Sequence, residues 1–391
     1  QNGHHQIAEL TADAEGAISG SFTLPAEAAP GLHPIVVITD TPSTASIIEM
    51  KISPDVALAG ADLYTIEAAQ LDPGLYQSAY SARSDALFVV AAVGRPPVTQ
   101  SSLMRVDPDS FEIVASITPA EAPARADGST GGVFAVYGIG LDDENGTIWA
   151  TNTRQDTIAV YAQDDLSLIH QFEPGAAIHA RDVVIDTTRD RAYVSAANQT
   201  FIEVFDTATL EHVTRIELGS TIRGARFTPM SLALDAEAGR LYTVSLNSPE
   251  AAVIDTDTNE VAQILSLPGA LRASGVAVDP AAGRLFVASQ NSDNLLIVDL
   301  ASGEVLHDVP VGAGALNVLY EPVEGLAWVS NRGAGTVTAV NGEGEIVANI
   351  ATGSLPNHIA TDGEGRLFAV NKTRGAEDAT GDHLTRLQRA E

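Results

Sequence analysis

The sequence predicts an all-β protein, a seven-bladed β-propeller of four-stranded antiparallel blades. Three observations carry that reading. Short runs of alternating apolar and polar residues recur between clusters of Gly, Pro, Asn and Asp, which is the period-2 pattern of strands and turns. The stretch Ser274–Val311 holds four such runs in succession (275–278, 284–289, 295–299 and 304–311), enough for one meander. The unit then repeats. An aromatic residue opens its second strand at Phe88, Trp149, Tyr193, Tyr242, Phe286, Trp328 and Phe368, separated by 61, 44, 49, 44, 42 and 40 residues. A four-stranded propeller blade has a period of about 40–45 residues.

Taken in order, residues 1–57 lie outside the repeat. LTADAEGAISGSFTLP, GLHPIVVITD and STASIIEMKIS read as three or four strands separated by Pro and Gly. This segment resembles the later strands of bacterial immunoglobulin-like modules. A full sandwich of that type needs about 100 residues, so roughly half a module is expected here, as a stalk or spacer. The missing strands are expected to precede this sequence or to come from elsewhere.

Residues 58–391 are expected to form the propeller. The two long intervals are filled by insertions between one blade's last strand and the next blade's first, Pro119–Val136 and Gly219–Thr228. Other landmarks recur in phase. Arginine opens the second strand at Arg191, Arg240, Arg284 and Arg366, and aspartate closes the third at Asp107, Asp206, Asp255 and Asp299. The seventh unit ends at its third strand, DHLTRLQR 382–389, so the strand 63–70 is expected to supply its fourth and close the ring. Closure removes an exposed sheet edge. The motifs WVSNRGAGTVTAV, YTVSLNSPEAAVIDTDTNEV and SGVAVDPAAGRLFVAS resemble the YVTN β-propeller repeat. That resemblance implies a seven-bladed ring outside the cytoplasm, periplasmic or at the cell surface. It implies no particular activity, because propellers host many.

Composition narrows the function. A net charge of −30 disfavours non-specific binding to nucleic acid or anionic membranes, both of which need a positive field. The absence of cysteine excludes disulfides and thiolate metal sites. No apolar run is long enough to cross a bilayer and no signal peptide is visible, so an exported protein would be numbered here from after its leader.

In a propeller the first strands line a central channel. Counting back from each aromatic motif predicts mouth residues at Gln77–Ser78, Tyr137–Gly138, Arg181–Asp182, Met230–Ser231, Ser274–Gly275, Leu316–Asn317 and Asn357–His358. The same face is expected to receive Arg154, Arg332 and Lys372 from loops between second and third strands, and Arg181, Arg223, Arg226 and Arg272 from the loops leading into first strands. Seven of the 21 basic residues would then surround one opening of an acidic protein. Clustered guanidinium groups suit carboxylate or phosphate, which they bind bidentately. The bland alternative is that they pair with neighbouring acids such as Asp156 and Asp182.

Other motifs carry less. His4–His5 has metal-binding chemistry but sits at a terminus. His358, with His179 near Arg181 and Asp182, would make a mouth metal or acid–base site. Asp255–Glu260 begins like a calcium loop but lacks its Gly and later Glu. GAGALN 312–317 echoes a dinucleotide fingerprint without the helix that would present it to phosphate. Calcium-dependent lactonase propellers use a channel set of Glu with Asn or Asp. Asp182 and Asn317 match part of that set, but no Glu falls at a mouth position.

The expected function is therefore an exported, non-enzymatic binding or scaffold propeller. It would engage a small anion, a glycan or a partner protein through Arg154, Arg181, Arg223, Arg226, Arg272, Arg332, Lys372, Tyr137, Asn317 and His358. A metal-assisted hydrolase or lactonase using Asp182 and His358 is the alternative. Single-stranded nucleic acid at the basic mouth ranks third, since Tyr137, with Tyr76 and Phe227, offers few stacking platforms. No cofactor is expected, and a monomer is.

Overall fold

The computed structural model describes residues 6–25 and 27–390, so the His4–His5 pair lies outside the described residues. The chain divides into two units, one ending at Ser53 and one beginning at Pro54. In the first, β1 (Gly31–Asp40) and β2 (Ser43–Ile52) form a two-stranded antiparallel hairpin with Gly31 opposite Ile52. The expected third and fourth strands are not formed among the described residues. The LTADAEGAISGSFTLP stretch makes only a local turn, in which the Asp13 carboxylate accepts from the Ala17 N–H at 2.7 Å. Its alternating pattern has no partner strand to pair with, and a single ribbon is not a sandwich.

The second unit is seven four-stranded antiparallel sheets, the blades of a propeller. Their inner strands are Leu75–Ser81, Ile139–Asp142, Ala180–Asp186, Pro229–Asp235, Ala273–Asp279, Ala315–Glu321 and Pro356–Thr361. Second strands are buried almost end to end, and the motif aromatics Phe88, Trp149, Tyr193, Phe286, Trp328 and Phe368 are fully buried between neighbouring blades. Outer strands alternate buried and exposed positions, as a sheet with one wet side must. The last blade is completed by β3 (Tyr64–Gln70), which pairs along its whole length with His383–Arg389. The segment leading to β3 is held to blade 6, where Asn349 donates to the Val56 carbonyl at 2.9 Å.

The in-phase Arg and Asp landmarks work as a pair. Arg191 stands opposite Asp206 and Arg240 opposite Asp255, each joined by an ion pair of 2.7 Å. The same aspartates cap the turn to the fourth strand. Asp206 accepts from the N–H groups of Ala208 and Thr209 at 3.0 and 2.8 Å, an Asx turn. Those backbone bonds, the Thr209 one foremost, hold its carboxyl below the usual carboxylate range.

Inner strands share one irregularity. In six of the seven, the register with the second strand slips near the strand's start, at Leu75/Gln77, Ala180/Val183, Pro229/Leu232, Ala273/Gly275, Ala315/Asn317 and Pro356/His358. A bulge bends the strand and re-aims a side chain. By register, equivalent residues form two tiers around the channel. The upper tier is Tyr76, Tyr137, Arg181, Met230, Ser274, Leu316 and Asn357. The lower tier is Gln77, Gly138, Asp182, Ser231, Gly275, Asn317 and His358.

Asp206→Ala is expected to cost about 1–2 kcal/mol, since it removes two turn hydrogen bonds and an ion pair at a partly exposed site. The measurement is chemical denaturation. A midpoint unchanged from wild type would show that the Arg–Asp landmark is only decorative.

Candidate functional site

Above the upper tier lies a cavity of about 570 Å³. Arg154 of blade 2, Arg181 of blade 3, Arg272 before blade 5, Arg332 of blade 6 and Lys372 of blade 7 all line it. The lining contains no Asp or Glu. Elsewhere nine arginines are ion-paired, Arg83, Arg189, Arg191, Arg215, Arg240, Arg284, Arg366, Arg386 and Arg389, whereas Arg95, Arg105, Arg125, Arg223, Arg226 and Arg374 have no ion pair among the described residues. Among the described residues, none of the five cavity cations has such a pair.

The nearest acids stand behind the wall and serve the backbone. Asp382 accepts from the N–H groups of Gly74 and Thr373 at 2.9 and 3.2 Å. Asp156 accepts from the His179 N–H at 2.7 Å. The expected pairing of mouth arginines with Asp156 and Asp182 does not occur.

Tyr76 stands at the centre of the cations. Its hydroxyl accepts from Arg181 Nη1 at 3.4 Å, and Lys372 Nζ sits 4.6 Å from its ring centroid. Arg332 donates to Asn357 Oδ1 at 2.8 Å, and Asn357 in turn donates to the Tyr76 carbonyl at 2.6 Å. Burial pushes the Tyr76 phenol up, but Arg181, Lys372 and Arg332 together push it down by more, so its pKa falls below the ordinary tyrosine value. It is the only one of the eight tyrosines shifted that way; burial raises the other seven. Burial also lowers the pKa of Lys372 and of Arg332. The cluster is thus held together against its own repulsion and desolvation.

Tyr137 meets Tyr76 edge to face at 4.9 Å. It is buried, and burial raises its pKa while the neighbouring Arg154 opposes that rise; the buried Nε of Arg181 has no hydrogen-bond partner. Two further lining residues adopt left-handed backbone. In blades 1 and 6 the residue before the inner strand is a glycine with positive φ, Gly74 and Gly314. At the same place His179, Arg272 and Leu355 have φ 51°, 55° and 49°, so the left-handed residue before the inner strand recurs around the ring, inside and outside the cavity lining.

The lower tier closes the mouth from below. Asp182 Oδ2 accepts from the Leu232 N–H at 3.0 Å; Oδ1 accepts from the Val183 N–H and from Gln77 Nε2, both at 3.2 Å. Gln77 also accepts from the Ile139 N–H at 2.9 Å, so the pair fastens blades 1, 2, 3 and 4. Burial raises the Asp182 pKa. His358 Nδ1 faces the Ser78 N–H at 3.5 Å; burial, then Arg181, pushes its pKa down to about 4. Asp182, Asn317 and His358 line a second cavity of about 450 Å³ in the channel beneath.

The expected site residues therefore separate. Arg154, Arg181, Arg272, Arg332, Lys372 and Tyr137 come together at the mouth. Arg223 and Arg226 do not; they lie exposed on the Gly219–Thr228 insertion, outside the lining. Asn317 and His358 sit one tier lower, and His179 lines the mouth, so no His179–His358 site forms. Among the described residues no group of three or more His, Asp or Glu side chains is placed to hold a metal. Tyr76 was missed at the mouth position because counting back in the first blade lands one residue late, on Gln77–Ser78, whereas Tyr76 stands as far before Phe88 as Arg181 does before Tyr193.

No family model matches the chain. It is 25% identical over 331 residues to the "Uncharacterized protein YncE" of Salmonella typhi, covering 80% of this chain and 88% of that protein. The Salmonella typhimurium protein of that name matches equally, and the Escherichia coli one is 24% identical over 200 residues, 48% of this chain and 50% of that protein. The chain is similar to the YncE proteins. Among solved structures, Kuenenia stuttgartiensis hydrazine synthase superposes with a TM-score of 0.66 at 14% identity, over 82% of this chain and 97% of that one. U3-55K gives 0.64 at 10% identity, over 83% and 98%. At that identity the likeness is of fold alone.

Two titrations check these electrostatics. On raising pH, the first tyrosine to ionise, followed by absorbance at 295 nm, is expected to be Tyr76, and Tyr76→Phe should delete that step. An unchanged first transition in the variant would refute the cation field. For His358 the folded pKa lies below the unfolded value, so the unfolded chain takes up the proton first. Stability is then present above about pH 6.5 and falls as pH drops towards 4. His358→Gln should flatten that slope in melting temperature; an identical slope would mean that His358 is not the group responsible.

Proposed function

We propose that this propeller is a non-enzymatic binding protein whose mouth takes a small oxyanion, carboxylate or phosphate. The observation that carries the proposal is the convergence of five cations from five blades on one cavity whose lining has no acidic side chain. Guanidinium forks match the geometry of such groups, and they gain most where water is partly excluded. The unpartnered Arg181 Nε supplies a donor that a bound anion, or water, would satisfy. The cavity volume falls within the ~300–1,000 Å³ range of small-molecule sites.

Hydrolysis at the same mouth is less well supported, because its two named residues are occupied as fasteners. Asp182 accepts from three N–H donors on different blades, and the ring of His358 faces a backbone amide. A glycan or protein partner would reach the cavity through an anionic group. The location outside the cytoplasm rests on the repeat resemblance; cell fractionation that leaves the native protein in the cytosol would reverse it.

Isothermal calorimetry with inorganic phosphate and with acetate is expected to show binding that Arg181→Gln weakens by about tenfold or more, the loss of one charge-assisted contact. Occupancy should also raise the first tyrosine transition, since a bound anion offsets the field on Tyr76. Absence of binding by either anion, or equal binding by the variant, would overturn the proposal.

A further inference from the structure

We infer that the ligand of this mouth is a compact polyanion, carrying three or more negative charges on clustered oxyanion groups, held on the channel axis. This rests on the anion-binding reading above and narrows it by charge and geometry.

The five cations are not a single clamp. They come from blades 2, 3, 5, 6 and 7, so they approach the axis from most sides of the ring. One carboxylate offers two oxygens and is saturated by one or two guanidinium forks. It would leave at least one of the three part-buried cations, Arg181, Arg332 and Lys372, unanswered beneath Arg154 and Arg272, which stand exposed at the rim, and part-buried charge without a partner is unfavourable. The acids behind the wall, Asp382 and Asp156, are turned to backbone amides and form no ion pair with the five cations, although Asp382 acts on Lys372 through space. Only a ligand with several charges, presented in several directions, matches the ring.

Compactness follows from the enclosure. The lower tier forms a floor tied across blades by Gln77 and Asp182, and apolar patches at Ala92, Met230 and Leu246 complete the wall between the cationic arcs. Phosphate chains and tricarboxylates share the required chemistry.

The test is a charge ladder measured by calorimetry on the whole chain at fixed low salt: acetate, inorganic phosphate, citrate and tripolyphosphate. Affinity is expected to climb by about tenfold per added charge, with a steeper salt dependence for the highly charged members. Citrate above tripolyphosphate would identify a carboxylate ligand, and the reverse a phosphate one. Arg272→Gly is expected to lower tripolyphosphate or citrate affinity by about tenfold or more and acetate affinity by less, without lowering the melting temperature, because glycine accepts the left-handed backbone. If acetate and phosphate bind through Arg181 but the ladder is flat, the polyanion inference falls and the anion site stands. If no member of the ladder binds, both fall. Binding of a short single-stranded oligonucleotide while tripolyphosphate and citrate do not bind would also overturn the inference, in favour of an extended ligand.

Discussion

The structure depends on one set of hydrogen bonds, the pairing of β3 with His383–Arg389. It joins segments more than 300 residues apart and makes the last sheet from both ends of the propeller unit. Without it blade 7 would be three strands with an open edge, and blade 6 would lose the lead-in segment that Asn349 holds. Closure also turns seven sheets into a ring, and only a ring has an axis on which loops of distant blades can meet. Every statement about the mouth therefore rests on this seam.

Within the ring, polar side chains do two different jobs. At the lower tier Gln77 and Asp182 bond neighbouring blades through backbone amides, fixing the inner strands against one another. At the mouth, cations are held with no carboxylate partner, at evident cost: Lys372 and Arg332 are pushed towards losing their protons. A fold with 51 acidic residues had abundant means to neutralise these five. Natural proteins concentrate such unrelieved charge where a ligand relieves it.

Much of this was legible in the chain. The seven aromatic motifs and their spacing gave blade number and phase, because each aromatic must be buried between blades and so cannot drift. Three of the Arg–Asp landmarks proved to be opposed across one strand pair, Arg191 with Asp206, Arg240 with Asp255 and Arg284 with Asp299. Six of the seven predicted mouth pairs hold the two tiers; the first slipped by one residue, since Tyr76 stands as far before Phe88 as Arg181 does before Tyr193. The immunoglobulin-like segment was less legible. Alternation in LTADAEGAISGSFTLP signals a strand only if a partner exists to pair with it, and the described residues supply only one hairpin.

By itself the sequence determined the repeat, the all-β class and the strand that closes the ring, because these follow from local periodicity and from counting. Tertiary structure alone decided which cations share a cavity. Arg154, Arg181, Arg272, Arg332 and Lys372 look no different in sequence from Arg223 and Arg226, or from the arginines that end in ion pairs. What separates them is the direction each loop takes over the mouth and whether a carboxylate from another strand lies within reach. Both are set by contacts between residues far apart in the chain.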